Sequence, residues 1–98
     1  MSERIERIKK AVEQLEKCKA THVHSVPVTE KHEREVAWGG VVEMFDLEGH
    51  ATAKRAYAWE RQRDEKGDAE YTVVLGVGPV TSAQAAVKAA ITAILKQM

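Results

Sequence analysis

The stretch Val36–Arg61, VAWGGVVEMFDLEGHATAKRAYAWER, constrains the fold more than any other part of the chain, because it reads as one long β-hairpin. A turn at Glu48-Gly49, or over the four residues Leu47 to His50, sets Asp46 opposite Ala51. Side chains alternate faces with a period of two, so counting outward pairs Glu43 with Lys54, Gly40 with Tyr57, and Trp38 with Trp59. Opposite-charge and aromatic cross-strand pairs each stabilise a sheet by roughly 0.2–1 kcal/mol. A tyrosine ring can also cover the bare backbone of a strand glycine.

This register gives the hairpin two unlike faces. One carries Val36, Trp38, Gly40, Val42 and Met44 with Trp59, Tyr57, Arg55 and Arg61; the other carries Val41, Glu43 and Phe45 with Glu60, Ala58, Ala56 and Lys54. The first is predicted to face the core, since a fully buried large apolar side chain contributes about 1.5–3 kcal/mol. The second mixes small and charged residues as a solvated face does. In the reverse assignment Arg55, Tyr57, Trp59 and Arg61 form an exposed aromatic and basic strip.

Residues 3 to 18 are predicted to form a helix with Ser2 as N-cap, its apolar stripe being Ile5, Ile8, Val12 and Leu15. Glu3 with Arg7, Glu6 with Lys10, and Glu13 with Lys17 stand in the favourable acid-first i,i+4 order. Strands are expected over 21–29, 35–47, 51–62 and 70–78, with the charged run Glu30 to Glu35 as a loop. Pro27 cannot donate a ladder hydrogen bond, which places the first strand at a sheet edge. If Arg61 pairs with Tyr71, then Tyr71, Val73, Leu75 and Val77 join the tryptophan face. Thr81 with Gln84 has the capping-box spacing that starts a last helix, whose buried stripe is Val87, Ala90, Ile91, Ile94 and Met98. The expected fold is α+β: a two-layer sandwich of helix, four-stranded antiparallel meander and helix, in sheet order 1-2-3-4, with both helices on one face.

The 98 residues, 44% of them hydrophobic, suit one domain over 1–98 with a modest core. No run approaches the ~20 apolar residues of a membrane span, and the one cysteine, Cys18, forms no internal disulfide. A cytoplasmic protein with no membrane association is the expectation. The formal net charge of zero removes the usual electrostatic signature of a nucleic-acid binder.

The motifs that could carry chemistry are sparse. Cys18, His22 and His24 form C-x3-H-x-H, with the two histidines two apart on a strand and so on one face. Zinc needs three or four converging ligands, and no second pair with ligand spacing exists, so no metal or other cofactor is expected. His50 is read as an ordinary polar turn residue. There is no G-x-S-x-G elbow, no phosphate-binding glycine loop, and no Cys or Ser with an obvious partner base.

The segment Gly76-x-Gly78 running through Thr81 to Ala85, Ala89 and Ala90 resembles the C-terminal part of the double-stranded RNA-binding domain. That family's pattern is G-x-G-x-S/T-K-K-x-A-K-x-x-A-A. Aligned on Thr81 the alanines match, while the positions of its three phosphate-holding lysines are Ser82, Ala83 and Ala86. The resemblance implies a similar fold. A hairpin of the type F-D-L-x-G-H-x-x-A-x-x-A-Y-A-W, here Phe45 to Trp59, is also similar to that of small uncharacterised bacterial proteins.

The sequence therefore leads to the expectation of a non-catalytic binding or adaptor domain. Its partner is a protein or a second copy, met through Val41 and Phe45 on the free sheet face. The alternative is weak, sequence-independent RNA binding through the helical layer, with Arg7, Lys10, Lys17 and Lys88 as phosphate contacts.

Overall fold

The computed structural model describes residues 3–32, 35–62, 69–78 and 80–96. In chain order they form α1 (Glu3–Glu16), β1 (Lys19–His32), β2 (Glu35–Glu48), β3 (Arg55–Gln62), β4 (Ala69–Leu75) and α2 (Ala83–Lys96). The strands make one antiparallel sheet in the order β1-β2-β3-β4. This is the expected α+β meander, with Pro27 on the edge strand β1.

The two helices do not share a face. Ile8 and Val12 of α1 pack with Ala20, Phe45, Ala56 and Ala58. Ala83, Ala86 and Val87 of α2 pack with Val28, Val42, Tyr57 and Trp59. Phe45 and Met44 are neighbours on β2 and must point oppositely, so the sheet lies between the helices and the expected free face is covered by α1. The two-layer arrangement expected from the sequence, with both helices on one face, is not the one found.

Registers explain which expectations survive. Asp46 lies opposite Arg55, not Ala51, and Glu43 lies opposite Ala58, not Lys54. The slip is four residues, an even number, and an even slip leaves every side chain on its original face. Trp38 and Trp59 therefore still share a face, with ring centroids 5.3 Å apart at 63°, edge to face. Gly40 is covered by Trp38 rather than Tyr57: a Cβ there would sit 3.2 Å from the indole. Tyr57 instead lies over Gly76, where a Cβ would be crowded by the Arg55 carbonyl and the Tyr57 ring, each 3.2 Å away.

On the other side of β3 the slip is odd. Arg61 pairs with Glu70 and Trp59 with Thr72, one residue from the expected register. Thr72 and Val74 thus take the tryptophan face, while Tyr71, Val73 and Leu75 pack beneath α1.

The ends of the elements also differ from expectation. β1 extends to His32, taking in part of the predicted charged loop. Lys17, at φ 53°, terminates α1 in the left-handed conformation. Leu15, counted in the buried stripe, is 60% exposed. The N-cap of α2 is Ser82, whose Oγ accepts a hydrogen bond from the Ala85 amide at 3.2 Å, and not Thr81. Gln84 is thereby free to reach β1, donating to the Thr29 carbonyl at 3.2 Å. The N-cap predicted at Ser2 and the stripe residue Met98 lie outside the described residues, as does the side chain of Ile94.

Candidate functional site

Two constellations stand out, one on each face of the sheet. The first is built on a β-bulge. The β1–β2 register runs His22 opposite Phe45 and then His24 opposite Met44, so Val23 is the extra residue. The bulge reverses the alternation, and His22 and His24 point to opposite faces, against the sequence expectation. It also brings His22 and Ser25, three residues apart, onto the same side of the sheet.

Both converge on Glu43, whose side chain is 0% exposed. His22 Nε2 donates to Glu43 Oε1 at 2.8 Å, and the Ser25 hydroxyl donates to the same oxygen. Arg4 Nη1, from α1, donates to Oε2 at 2.8 Å, and its Nη2 donates to the Val41 carbonyl at 3.4 Å. The His22 ring meets Phe45 edge on, with centroids 5.5 Å apart. Burial pushes the Glu43 carboxyl up, but hydrogen bonds from Ser25, Arg4 and His22, with the Arg4 charge, outweigh it and hold the carboxyl below its ordinary range. A carboxylate held ionised in this way is a weak proton acceptor. Ser25 and His22 Nε2 also meet the same carboxylate oxygen, whereas a relay would place the imidazole between serine and carboxylate. The cluster ties α1 to the sheet.

The second constellation is a groove of about 610 Å3 between α2 and the β3–β4 half of the sheet. Its floor includes Trp59, Thr72 and Val74, its side wall is Trp38, and α2 contributes Ala90 and Ile91. Arg61 and Glu70, paired across β3 and β4, stand at one edge. The groove has two causes. Among the described residues β2 pairs with β3 over Glu43–Asp46 alone, leaving Trp38 outside the paired stretch, with its ring against Trp59 of β3. The alanine-rich α2 sits close to the sheet at Ala83 and Ala86, but its later alanines, Ala89, Ala90 and Ala93, are too short to fill the space beneath them.

The residues singled out from sequence are dispersed. Phe45, expected on an interaction surface, is 0% exposed in the core under α1; Val41 is 38% exposed. Arg7 forms a forked pair with Glu60, at 3.2 and 3.4 Å. Lys10 and Lys17 are exposed on and just beyond α1, and Lys88 is exposed on α2. The four cations therefore fall on opposite sides of the sheet and do not make one helical layer. Cys18 is partly buried, and burial with the neighbouring Glu16 and Glu13 charges pushes its thiol up, away from the thiolate that a metal requires. Among the described residues no group of three or more His, Cys, Asp or Glu is placed to hold a metal ion. Nor is any helix among them long and apolar enough to cross a membrane.

His50 has a specific role that its turn position did not reveal. Its Nδ1 accepts hydrogen bonds from the amides of Thr52, at 3.1 Å, and Ala53, at 2.9 Å. Its Nε2 lies 3.6 Å from Glu16 of α1. The β2–β3 connection wraps around this ring, with Gly49 supplying a φ of 89° just before it.

Comparison of the chain with protein-family models, curated proteins and solved structures finds no match.

Proposed function

We propose that the chain is a non-catalytic binding domain whose ligand site is the groove between α2 and the β3–β4 half of the sheet. The observation that supports this reading is the groove itself. At about 610 Å3 it falls within the ~300–1,000 Å3 of small-molecule sites, and its lining is apolar with a few polar groups at the edge. The Glu43 cluster has a different character. Its acceptor oxygens are taken up by Arg4, His22 and Ser25, and the Glu43 side chain is buried.

A fragment screen by residue-resolved NMR tests the reading. Apolar fragments are expected to shift Trp38, Trp59, Thr72 and Ala90 together. A screen in which no fragment moves these residues, or in which every binder maps to the α1 side, would sink it.

A further inference from the structure

The two edges of the sheet are unlike. β1 carries Pro27, Lys19 and Lys31, and its register breaks at Val23 and again between Glu30 and Lys31. Such features keep a strand edge from pairing with another chain. β4, at the other edge, runs against β3 in unbroken register, with no proline or lysine and with Glu70 as its one charge. The Gly76 amide donates to the Arg55 carbonyl at 2.8 Å. Antiparallel ladder bonding alternates along a strand, so Thr72 and Val74 turn their backbone groups to β3, while Tyr71 and Val73 turn theirs outward. Among the described residues no hydrogen bond reaches those outward groups. The side chains are also incompletely covered. Ala56, Tyr57, Ala58 and Trp59 of β3 are buried, whereas Tyr71, Thr72, Val73, Val74 and Leu75 are half-buried, on both faces of the sheet.

A strand added at this edge lies beside the α1 layer on one face and the α2 layer on the other, so it needs apolar side chains on both. β4 itself meets that requirement, with Tyr71, Val73 and Leu75 on one face and Val74 beside Thr72 on the other. A two-fold axis at Thr72 pairs the whole strand with its own copy, setting Tyr71 opposite Val73 and Glu70 opposite Val74. The two Glu70 carboxylates are then four residues apart along the strands, about 14 Å at ~3.4 Å per residue, which exceeds the screening length at physiological salt. A formal net charge of zero leaves no long-range repulsion between copies. A strand that is already folded also avoids the ordering cost of a flexible peptide. We infer that two copies of this chain associate through β4, antiparallel about Thr72, into one continuous sheet of twice the width. This interface does not depend on what the groove holds.

The test is sedimentation velocity of the full chain from roughly 5 to 500 μM, a span that brackets micromolar dissociation constants, with amide hydrogen exchange measured at both ends. A dimer is expected at the upper end, and nothing larger, because the remaining edges belong to β1. Exchange at Tyr71 and Val73 should slow as concentration rises, while Thr72 and Val74, bonded to β3, exchange slowly throughout. Thr72→Lys and Thr72→Glu, each confirmed as folded by circular dichroism, set like charges against each other and should weaken self-association about fivefold or more. An equimolar mixture of the two should restore it. A chain that stays monomeric at the highest concentration overturns the inference. So does a dimer in which Tyr71 and Val73 exchange as fast as in the monomer, or a mixture that associates no better than either variant alone. Should neither variant fold, the exchange comparison in the parent chain decides.

Discussion

The two faces of the sheet are held by different physics. Under α1 the fully buried helix residues are Ile8 and Val12 alone among those described, and the helix is fastened at its margins by polar links: Arg4 to Glu43, Arg7 to Glu60, and Glu13 to the amide of Ala20. Under α2 the contact is aromatic and aliphatic, with Tyr57, Trp59, Val28 and Val42 against Ala86 and Val87. A helix with little apolar surface needs charge to fix its position. A helix of alanine, valine and isoleucine is fixed by area, and where that area falls short a groove remains. The α1 face should therefore respond to pH and salt, and the α2 face should not.

Four measurements would break or sharpen that contrast. The largest effect is expected from Phe45→Ala, which opens a cavity under α1 and should cost about 3–5 kcal/mol in chemical denaturation. A loss below about 1 kcal/mol would mean that α1 barely uses its apolar contacts.

Glu43→Ala comes next, at roughly 2–3 kcal/mol near neutral pH, because it removes charge-assisted hydrogen bonds from three donors. Its pH dependence carries the sign. The folded-state pKa of Glu43 lies below the ordinary 4.5, so its contribution is complete above that value and fades as pH falls through the folded pKa. Parent and variant stabilities should converge on acidification. A gap that stays constant down to about pH 3 would assign the loss to packing rather than charge.

His50→Ala should cost about 1–2 kcal/mol, since two loop amides lose their acceptor. Hydrogen exchange at Thr52 and Ala53 should quicken while exchange in β4 is unchanged; equal acceleration in both would show global destabilisation instead. The smallest effect is expected from Arg7→Gln. The Arg7–Glu60 pair is open to water, so its contribution should be slight at low salt and vanish near 1 M salt. A loss that persists at high salt would mean that the arginine stem matters more than its charge.

How far the sequence could be read depended on parity. Alternation along VAWGGVVEMFDLE and RAYAWER assigned Trp38, Val42, Tyr57 and Trp59 to one face, and that assignment tolerates a four-residue error because four is even. The β3–β4 estimate was wrong by one residue, which was enough to move Tyr71, Val73 and Leu75 to the opposite layer. The hairpin register itself was not legible. A two- or four-residue turn is the economical guess after Asp46, and the loop wound on His50 depends on a side-chain-to-backbone arrangement that turn propensities do not encode. Glu43 looked like a solvated charge for a related reason. Its donors Arg4, His22 and Ser25 come from α1 and β1, and the bulge that aims two of them is invisible in the smooth alternation of THVHSVPVT. The groove had only a partial signal in the alanines along α2, whose short side chains permit either close contact or a gap; contact at one end of the helix and a gap at the other required the structure.

The extra residue in β1 has a consequence for how this chain tolerates insertions and deletions. Losing the codon for Val23 would leave the pairings on either side of it unchanged, and His22 and Ser25, then two residues apart, would still share a side of the sheet by simple alternation. Glu43 would keep both of its β1 donors. Losing a residue from the regular stretch Ser25–Thr29 has no such slack, because the strand would slip by one against β2 and turn side chains to the opposite face. In a comparison of single-residue deletions along β1, Val23 should therefore be the mildest position.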